Sequence, residues 1–253
     1  KHSPALALYD KVDAAKTLDL LRPVKSDVWH ELHPHLQFRF LRAGHILGSS
    51  LVQLLFQGPH GPRTITFSGD LGNGRSLIIK PPVTIAETDF LVLESTYGDR
   101  VQPRSSPFFE LQKVILKVAK RGGVLVIPAF SVGRTQELLY LITQLENQNA
   151  IPKIPVYLDS PLSKDATEIF LSYPDEHQLT VANGQLVSPI CTSCFKSVQS
   201  LEESIRLHRK EGPMIVISAS GMLSGGRVMH HLKHRLPDPK NGLLFVGYQA
   251  EGT

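Results

Sequence analysis

Cysteine is almost missing from these 253 residues: Cys191 and Cys194 are the whole supply. Two cysteines cannot staple a small secreted scaffold, so the chain is expected in the reducing cytoplasm, with a core held by apolar packing. Their CxxC, in SPICTSCFKS, lacks the second pair that makes such spacing a strong zinc signal, and His177 and His208 flank it too distantly for a finger. Long apolar runs are missing too. None approaches the ~20 residues that cross a bilayer, so no membrane partner is expected. No signal-peptide pattern opens the chain, no segment repeats, and none is low in complexity. Neither sign of charge dominates. Lys and Arg number 27 against 23 Asp and Glu, a net +4 with pI near 9.0. That balance permits a polyanionic partner without requiring one.

What is present is an ordinary globular composition, 42% apolar and 20% charged. The length suits one large domain or two small ones. Leu8, Val12, Ala15, Leu18 and Leu21 recur at helical steps, predicting a helix from Pro4 to Arg22 that Pro23 ends. Leu36 to Leu41, Ser50 to Gln57, Arg63 to Phe67 and Asp89 to Leu93 read as strands, with GPHGP (Gly58 to Pro62) as a hairpin turn. After Arg100 the rhythm changes. Pro107 to Lys120 is an amphipathic helix with Ser106 as its cap and Gly122-Gly123 as its stop. Val124 to Phe130, Pro155 to Asp159, Met214 to Ala219 and Leu243 to Tyr248 are apolar enough to be buried strands. Thr135 to Leu145, Leu201 to Lys210 and Arg227 to Arg235 read as helices. Such alternation predicts an α/β unit with a mainly parallel sheet. Residues 173–197 match no element.

Three short strings put a metal-seeking or acid/base side chain just past an apolar run. His45 lies in AGHILGSS, Asp70 in FSGDLG and Glu94 in LESTYGDR. Singly, each has an ordinary use, because Asp and Glu beside Gly serve turns and a lone His is most often a surface residue. Three strand ends side by side would instead bring an imidazole and two carboxylates together, the usual make-up of a hydrolytic metal site. His33 and His35 form a second candidate, an HxH, but in the strand leading to His45 and without further ligands. His230 and His234, in HHLKH, have the i, i+4 spacing of metal-binding helices. They lack the catalytic Glu that goes with it, so this helix is expected to show a polar or basic face.

Two glycine-containing loops are placed to meet an anion. FSVGR (Phe130 to Arg134) carries Ser131 and Arg134; SASGMLSGGR (Ser218 to Arg227) carries Ser220, Gly221 and Arg227. Each joins a strand's carboxyl end to a helix start, the edge where open α/β sheets bind ligands. Neither is a Walker A or a GxGxxG, and tight turns with solvated arginines explain the spacing equally well.

Together these strings, with PAFSVGRTQELL, YLDSPL, SGMLSGGRVMHHLKH and GYQAEGT in the same order, resemble the β-CASP branch of the metallo-β-lactamase fold. These are RNA-processing nucleases related to the endonuclease subunit of the cleavage and polyadenylation machinery. The resemblance covers nearly the whole chain. It implies a partial metallo-β-lactamase (αββα) domain over 1–100 and an inserted β-CASP α/β domain over 101–253. It implies two zinc ions, with His45 a terminal ligand, Asp70 a bridging one, and Glu94 orienting a histidine from outside this chain. Asp70 and Glu94 would then be the catalytic carboxylates. Ser131, Arg134, Ser220, Gly221 and Arg227 would contact single-stranded RNA, which would lie in the groove between the domains. A homodimer or an RNA-processing complex fits the family equally.

The family's HxHxDH string is absent, its later histidine motifs are not reached by Thr253, and residue 1 is Lys. The chain is therefore expected to be a fragment, inactive alone, of a zinc-dependent ribonuclease. The main alternative is a non-catalytic β-CASP subunit that binds RNA or scaffolds a complex. A DNA-repair nuclease of the same fold and a small-molecule hydrolase are more distant ones.

Overall fold

The computed structural model describes residues 7–99, 101, 105–179 and 190–252. The expected helix start at Pro4, the last residue of LESTYGDR (Arg100), the last of GYQAEGT (Thr253) and part of the unplaced stretch, 180–189, lie outside them.

Two five-stranded sheets organise the chain. The first comprises β1 (His30–His33), β2 (Leu36–Arg42), β3 (Ser50–Gly58), β4 (Gly61–Phe67) and β5 (Phe90–Val92), in sequence order. β1 to β4 are antiparallel and β5 joins β4 in parallel. The hairpin expected at GPHGP is present, with Gly58 opposite Gly61. The HxH is not in the strand leading to His45: His33 ends β1, and Pro34 and His35 make the turn into β2. Leu41, Ala43 and Leu51 are buried in a small core with Leu71 and Ile85 against them. β5 is exposed along its length.

Ahead of this sheet, α1 (Lys11–Leu20) is shorter than its apolar pattern predicts. Asp10 sets its start by accepting hydrogen bonds from the N–H groups of Val12 and Asp13. None of its residues is buried, so the apolar face expected from Leu8 to Leu21 has no partner among the described residues.

The second sheet has the order β10-β6-β9-β7-β8 and is parallel throughout. Its strands are β6 (Val124–Pro128), β7 (Val156–Asp159), β8 (Phe195–Ser197), β9 (Met214–Ser218) and β10 (Gly242–Leu243). Five helices accompany it: α2 (Pro107–Lys120), α3 (Arg134–Asn147), α4 (Pro161–Ser172), α5 (Leu201–His208) and α6 (Arg227–Arg235). Period-two geometry divides the strand side chains between two layers. Leu125, Ile127, Ile215 and Ile217 pack with Leu111 and Ile115 of α2 and Leu139 and Ile142 of α3. Val124, Val126, Met214 and Val216 pack with Leu207 of α5 and Val228 and Leu232 of α6. Cover on both faces is why β6, β7 and β9 read as unbroken apolar runs. Each fully buried Leu or Ile contributes roughly 1.5–3 kcal/mol of transfer free energy.

The structure corrects several expectations here. Ser106 occupies the cap position of α2, but its hydroxyl accepts no cap hydrogen bond. α4 and β8 are elements that the apolar pattern does not mark. α4 buries only Ser163 and Phe170, so its sequence carries little periodicity, although Ser160 and Pro161 are a cap and first-turn pair. β10 is two residues long where six were expected, and Phe245 is exposed. It is an edge strand paired only to β6, so little holds its continuation in the sheet.

The blocks touch. Ile78 and Ile79 belong to the large core of the second sheet, and Leu47 packs against it. Ile79 also bridges to His177. Among the described residues no helix is long and apolar enough to cross a membrane.

Candidate active site

The first block ends β2, β4 and β5 at one edge, with β3 running between β2 and β4. Past β2, the chain turns at Gly44 (φ +67°), where a Cβ would fall 2.6 Å from the backbone nitrogen of Pro82. The Ser49 hydroxyl accepts from the N–H groups of His45 (3.0 Å) and Ile46 (3.2 Å) and donates to the Ile46 carbonyl (2.8 Å), which fixes the turn. Past β4, Gly72 N–H donates to Ala43 O at 2.9 Å, locking the Asp70 loop to the His45 loop. Past β5, Glu94 N–H donates to Ser68 Oγ at 2.9 Å. His45 Nε2 thus comes to 4.0 Å from Asp70 Oδ2, with the side chains 47% and 79% exposed.

Glu94 turns back onto the same loops. Its carboxylate accepts from Thr96 N–H (2.8 Å) and Leu71 N–H (3.4 Å). The Thr96 hydrogen bonds, then that of Leu71 and the nearby His45, hold its carboxyl below the ordinary range against a small opposing effect of burial. In this chain Glu94 braces the turn that carries Asp70.

An imidazole nitrogen and a carboxylate oxygen are ordinary zinc donors, so the chemistry of the pair fits that metal. The number does not complete a site: among the described residues no group of three or more His, Cys, Asp or Glu is placed to hold a metal.

The two loops of the second block behave differently from each other. At the start of α3, Gly133 N–H donates to Gln136 Oε1 (2.7 Å), and the N–H groups of Arg134 and Thr135 donate to Val132 and Phe130 carbonyls. That helix end is therefore largely satisfied from within. Ser131 Oγ lies 3.4 Å from Ser160 Oγ. Arg134 pairs with Glu137 at 2.5 Å while staying partly exposed. In the other loop Ser220 Oγ lies 3.3 Å from Ser224 Oγ. Gly221 is pressed on Phe130, where a Cβ would meet the ring at 2.9 Å. Arg227 turns inward: it donates to Asp159 Oδ1 (2.8 Å), Val198 O (3.3 Å) and Gln199 O (2.8 Å).

These separate strings close into a ring. Ile46, beside His45, sits where a Cβ on Gly133 would be, 2.8 Å from its Cγ2. Phe130 backs onto Gly221, whose carbonyl accepts from Gln249 Nε2 at 2.9 Å. Next to Gln249, the Tyr248 ring packs edge-on to Tyr97, 6.1 Å between centroids, and Tyr97 follows Glu94 by one helical turn's length of chain. YLDSPL joins this ring through Ser160, whose hydroxyl lies 3.4 Å from that of Ser131.

A family model described as Beta-Casp domain matches residues 135–253. The chain carries a β-CASP domain. Ribonuclease TTHA0252 of Thermus thermophilus is 36% identical over 245 residues, covering 95% of this chain and 55% of the relative. The transcription termination factor FttA of Methanosarcina mazei is 34% identical, covering 97% of this chain and 39% of the relative. An RNase J-like protein of Methanocaldococcus jannaschii is 34% identical over 229 residues, 88% and 51%. The chain spans about half the length of these curated relatives, or less. The match takes in β7 to β10 of the parallel sheet, and two sheets, one of them all-parallel, agree with a metallo-β-lactamase-type fold that carries a β-CASP domain.

Sequence reasoning missed a buried polar node. Asp159, buried at the carboxyl end of β7, accepts from Ser204 Oγ, His231 Nε2 and Arg227. A carboxylate ending a wholly apolar strand was the signal. HHLKH is also corrected. His230 and His234 are on the surface as expected, but His231 is fully buried because it reaches Asp159. His177, once set beside the CxxC, is instead stacked on Phe170 at 4.8 Å, and both cysteines are free.

Proposed function

We propose that this chain is the part of a zinc-dependent ribonuclease that supplies His45 and Asp70 to the metal centre and a β-CASP surface to single-stranded RNA. The observation that carries it is the ring of contacts joining the His45, Asp70 and Glu94 strand ends to the Ser131 and Ser220 loops. The names of the relatives, two ribonucleases and a transcription termination factor, agree with action on RNA. His45 and Asp70 would hold the metal with ligands from outside this chain. A metal bound there supplies Lewis acidity and lowers the pKa of water toward ~7. Asp70 would contribute negative charge to a metal held there, and Glu94 keeps its turn in place through Leu71 N–H. Ser131, Ser220 and Arg134 border the groove where a phosphate backbone would run.

The deciding experiment uses the full-length protein with Asp70→Asn, which preserves size and removes charge. Zinc content by elemental analysis and cleavage of a labelled RNA should fall together, cleavage by at least about 100-fold, while RNA affinity stays near the parent value. A parent protein with less than one zinc per chain and no cleavage, but intact RNA binding, would establish the non-catalytic scaffold instead.

A further inference from the structure

The loop from Ser218 to Arg227 is fastened at both ends to one residue. At its start, Ser218 Oγ donates to the Asp159 carbonyl oxygen at 3.0 Å. At its end, Arg227 Nη1 donates to Asp159 Oδ1 at 2.8 Å. The other carboxylate oxygen, Oδ2, takes Ser204 Oγ of α5 and His231 Nε2 of α6, both at 2.6 Å. Asp159 is fully buried, and so are Ser218, Ser204 and His231. Arg227 also reaches the carbonyls of Val198 and Gln199, just before α5. Its planar fork thus joins the ends of β7 and β8 to the first turn of α6. Between the two fastenings the loop exposes Ser224 and half-exposes Ser220.

We infer that Asp159 is the positioning residue for the Ser218–Arg227 loop, and that Arg227 acts as the fork through which it sets the loop's place against RNA. The inference rests on the ribonuclease reading above, since it assigns the loop a bound phosphate backbone. It changes the part played by Arg227. A guanidinium that directly neutralises phosphate can be replaced by an ammonium at modest loss. One that spans three acceptors in a fixed plane cannot, because lysine is a point charge. A carboxylate with a guanidinium, an imidazole and a hydroxyl around it is also a poor device for stability alone, as an apolar replacement often serves as well. What such a node supplies is a defined geometry for everything attached to it.

The test uses full-length protein bearing Arg227→Lys, Arg227→Ala, Asp159→Asn, Ser204→Ala or, as a contact control, Arg134→Ala. The readouts are Kd for a labelled single-stranded RNA, its salt dependence, and circular dichroism to confirm folding. Positioning predicts that Arg227→Lys weakens binding about 10-fold, as much as Arg227→Ala, with the salt slope of the parent in both. Arg134→Ala should flatten the slope by about 0.7, one phosphate contact. Asp159→Asn should follow Arg227→Lys; if it does not fold, Arg227→Lys and the milder Ser204→Ala carry the result. Parent-like Kd for folded Arg227→Lys, with Arg227→Ala losing slope and Arg134→Ala weakened, overturns positioning and leaves the RNA surface standing. Parent-like binding in Arg134→Ala and every Arg227 variant overturns both.

Discussion

His208 shows how far one side chain's behaviour is set by its neighbours. It projects from α5 onto α6, with the rings of His230 and His234 stacked 6.1 and 5.0 Å away and the edge of His231 at 4.5 Å. Its Nε2 is buried without a hydrogen-bond partner. Burial first, then the positive charge that His231 and His234 would carry, push its pKa down to about 4, and Asp159 offsets only part of this. Below its unfolded pKa of about 6.5 the unfolded chain takes up a proton that the folded chain refuses until about pH 4. The sign is therefore fixed: stability falls as pH drops from 6.5 to 4 and levels off below. With discounting for the solvent that still reaches the ring, the loss is on the order of 1 kcal/mol, a Tm drop of roughly 3 °C. Thermal melts of His208→Asn should lose that slope above pH 4. A wild-type Tm that rises on acidification through this window would contradict the packing. Individual residues were legible in the sequence only when their neighbours were local. The places of His45, Asp70 and Glu94, just past β2, β4 and β5, were readable from the apolar runs before them. His231 was not, because its partner Asp159 is distant in sequence and a histidine on a helix gives no sign of which face is covered.

At the scale of elements, the His45 and Asp70 loops depend on a single close approach. A Cβ on Gly72 would stand 1.9 Å from the Gly44 carbonyl oxygen and 2.3 Å from its carbon. Both are backbone atoms, so no rotamer change relieves the clash. Gly72→Ala must push the Asp70 loop off the His45 loop and break the Gly72 N–H to Ala43 hydrogen bond. The expected cost is about 1–3 kcal/mol of stability, with zinc affinity of the full-length protein reduced at least 10-fold. Gly58→Ala is the control, because a Cβ in that hairpin meets nothing closer than 3.5 Å. Calorimetric titration with zinc decides: Gly72→Ala binding like the parent would mean that the two loops do not act as one unit. Element types followed from local rules where one face is buried. α2 and α6 match their expected bounds because apolar spacing and end residues agree. α4 escaped because its apolar residues Leu162, Ile169 and Leu171 face solvent, so no period marks an inner side. β10 was overextended because an apolar run does not reveal whether the strand on its other side exists.

At the scale of the molecule, the His45 and Asp70 loops and the most rigid core sit in different blocks. The second sheet is covered on both faces; it carries Leu125, Ile127, Leu158, Met214, Ile215 and Ile217, and its helices carry all but one of the other largest fully buried side chains. The first sheet has a three-residue buried core, an exposed edge strand in β5, and a preceding helix with no buried residue. Local opening should follow this imbalance, since protection from exchange grows with buried contacts around a hydrogen bond. Hydrogen exchange of the 253-residue chain is therefore expected to show three tiers. Amides of β6, β9 and β7 should exchange only through global unfolding. Those of β3, central in the first sheet, should open at lower cost. Those of α1 should be nearly unprotected, because ten residues without tertiary packing are below the length at which a helix holds in water. The same order bears on function. His45 and Asp70 belong to the less stable block and are kept in register by contacts with the firmer one, through Ile46 on Gly133 and Leu47 on the large core. Residues 43–50 should accordingly be more protected than α1 although they form a loop, and Gly133→Val, which collides with Ile46, should lower their protection without touching β9. Slow exchange in α1, as slow as in β9, would show that its apolar face is covered after all and would refute this ranking.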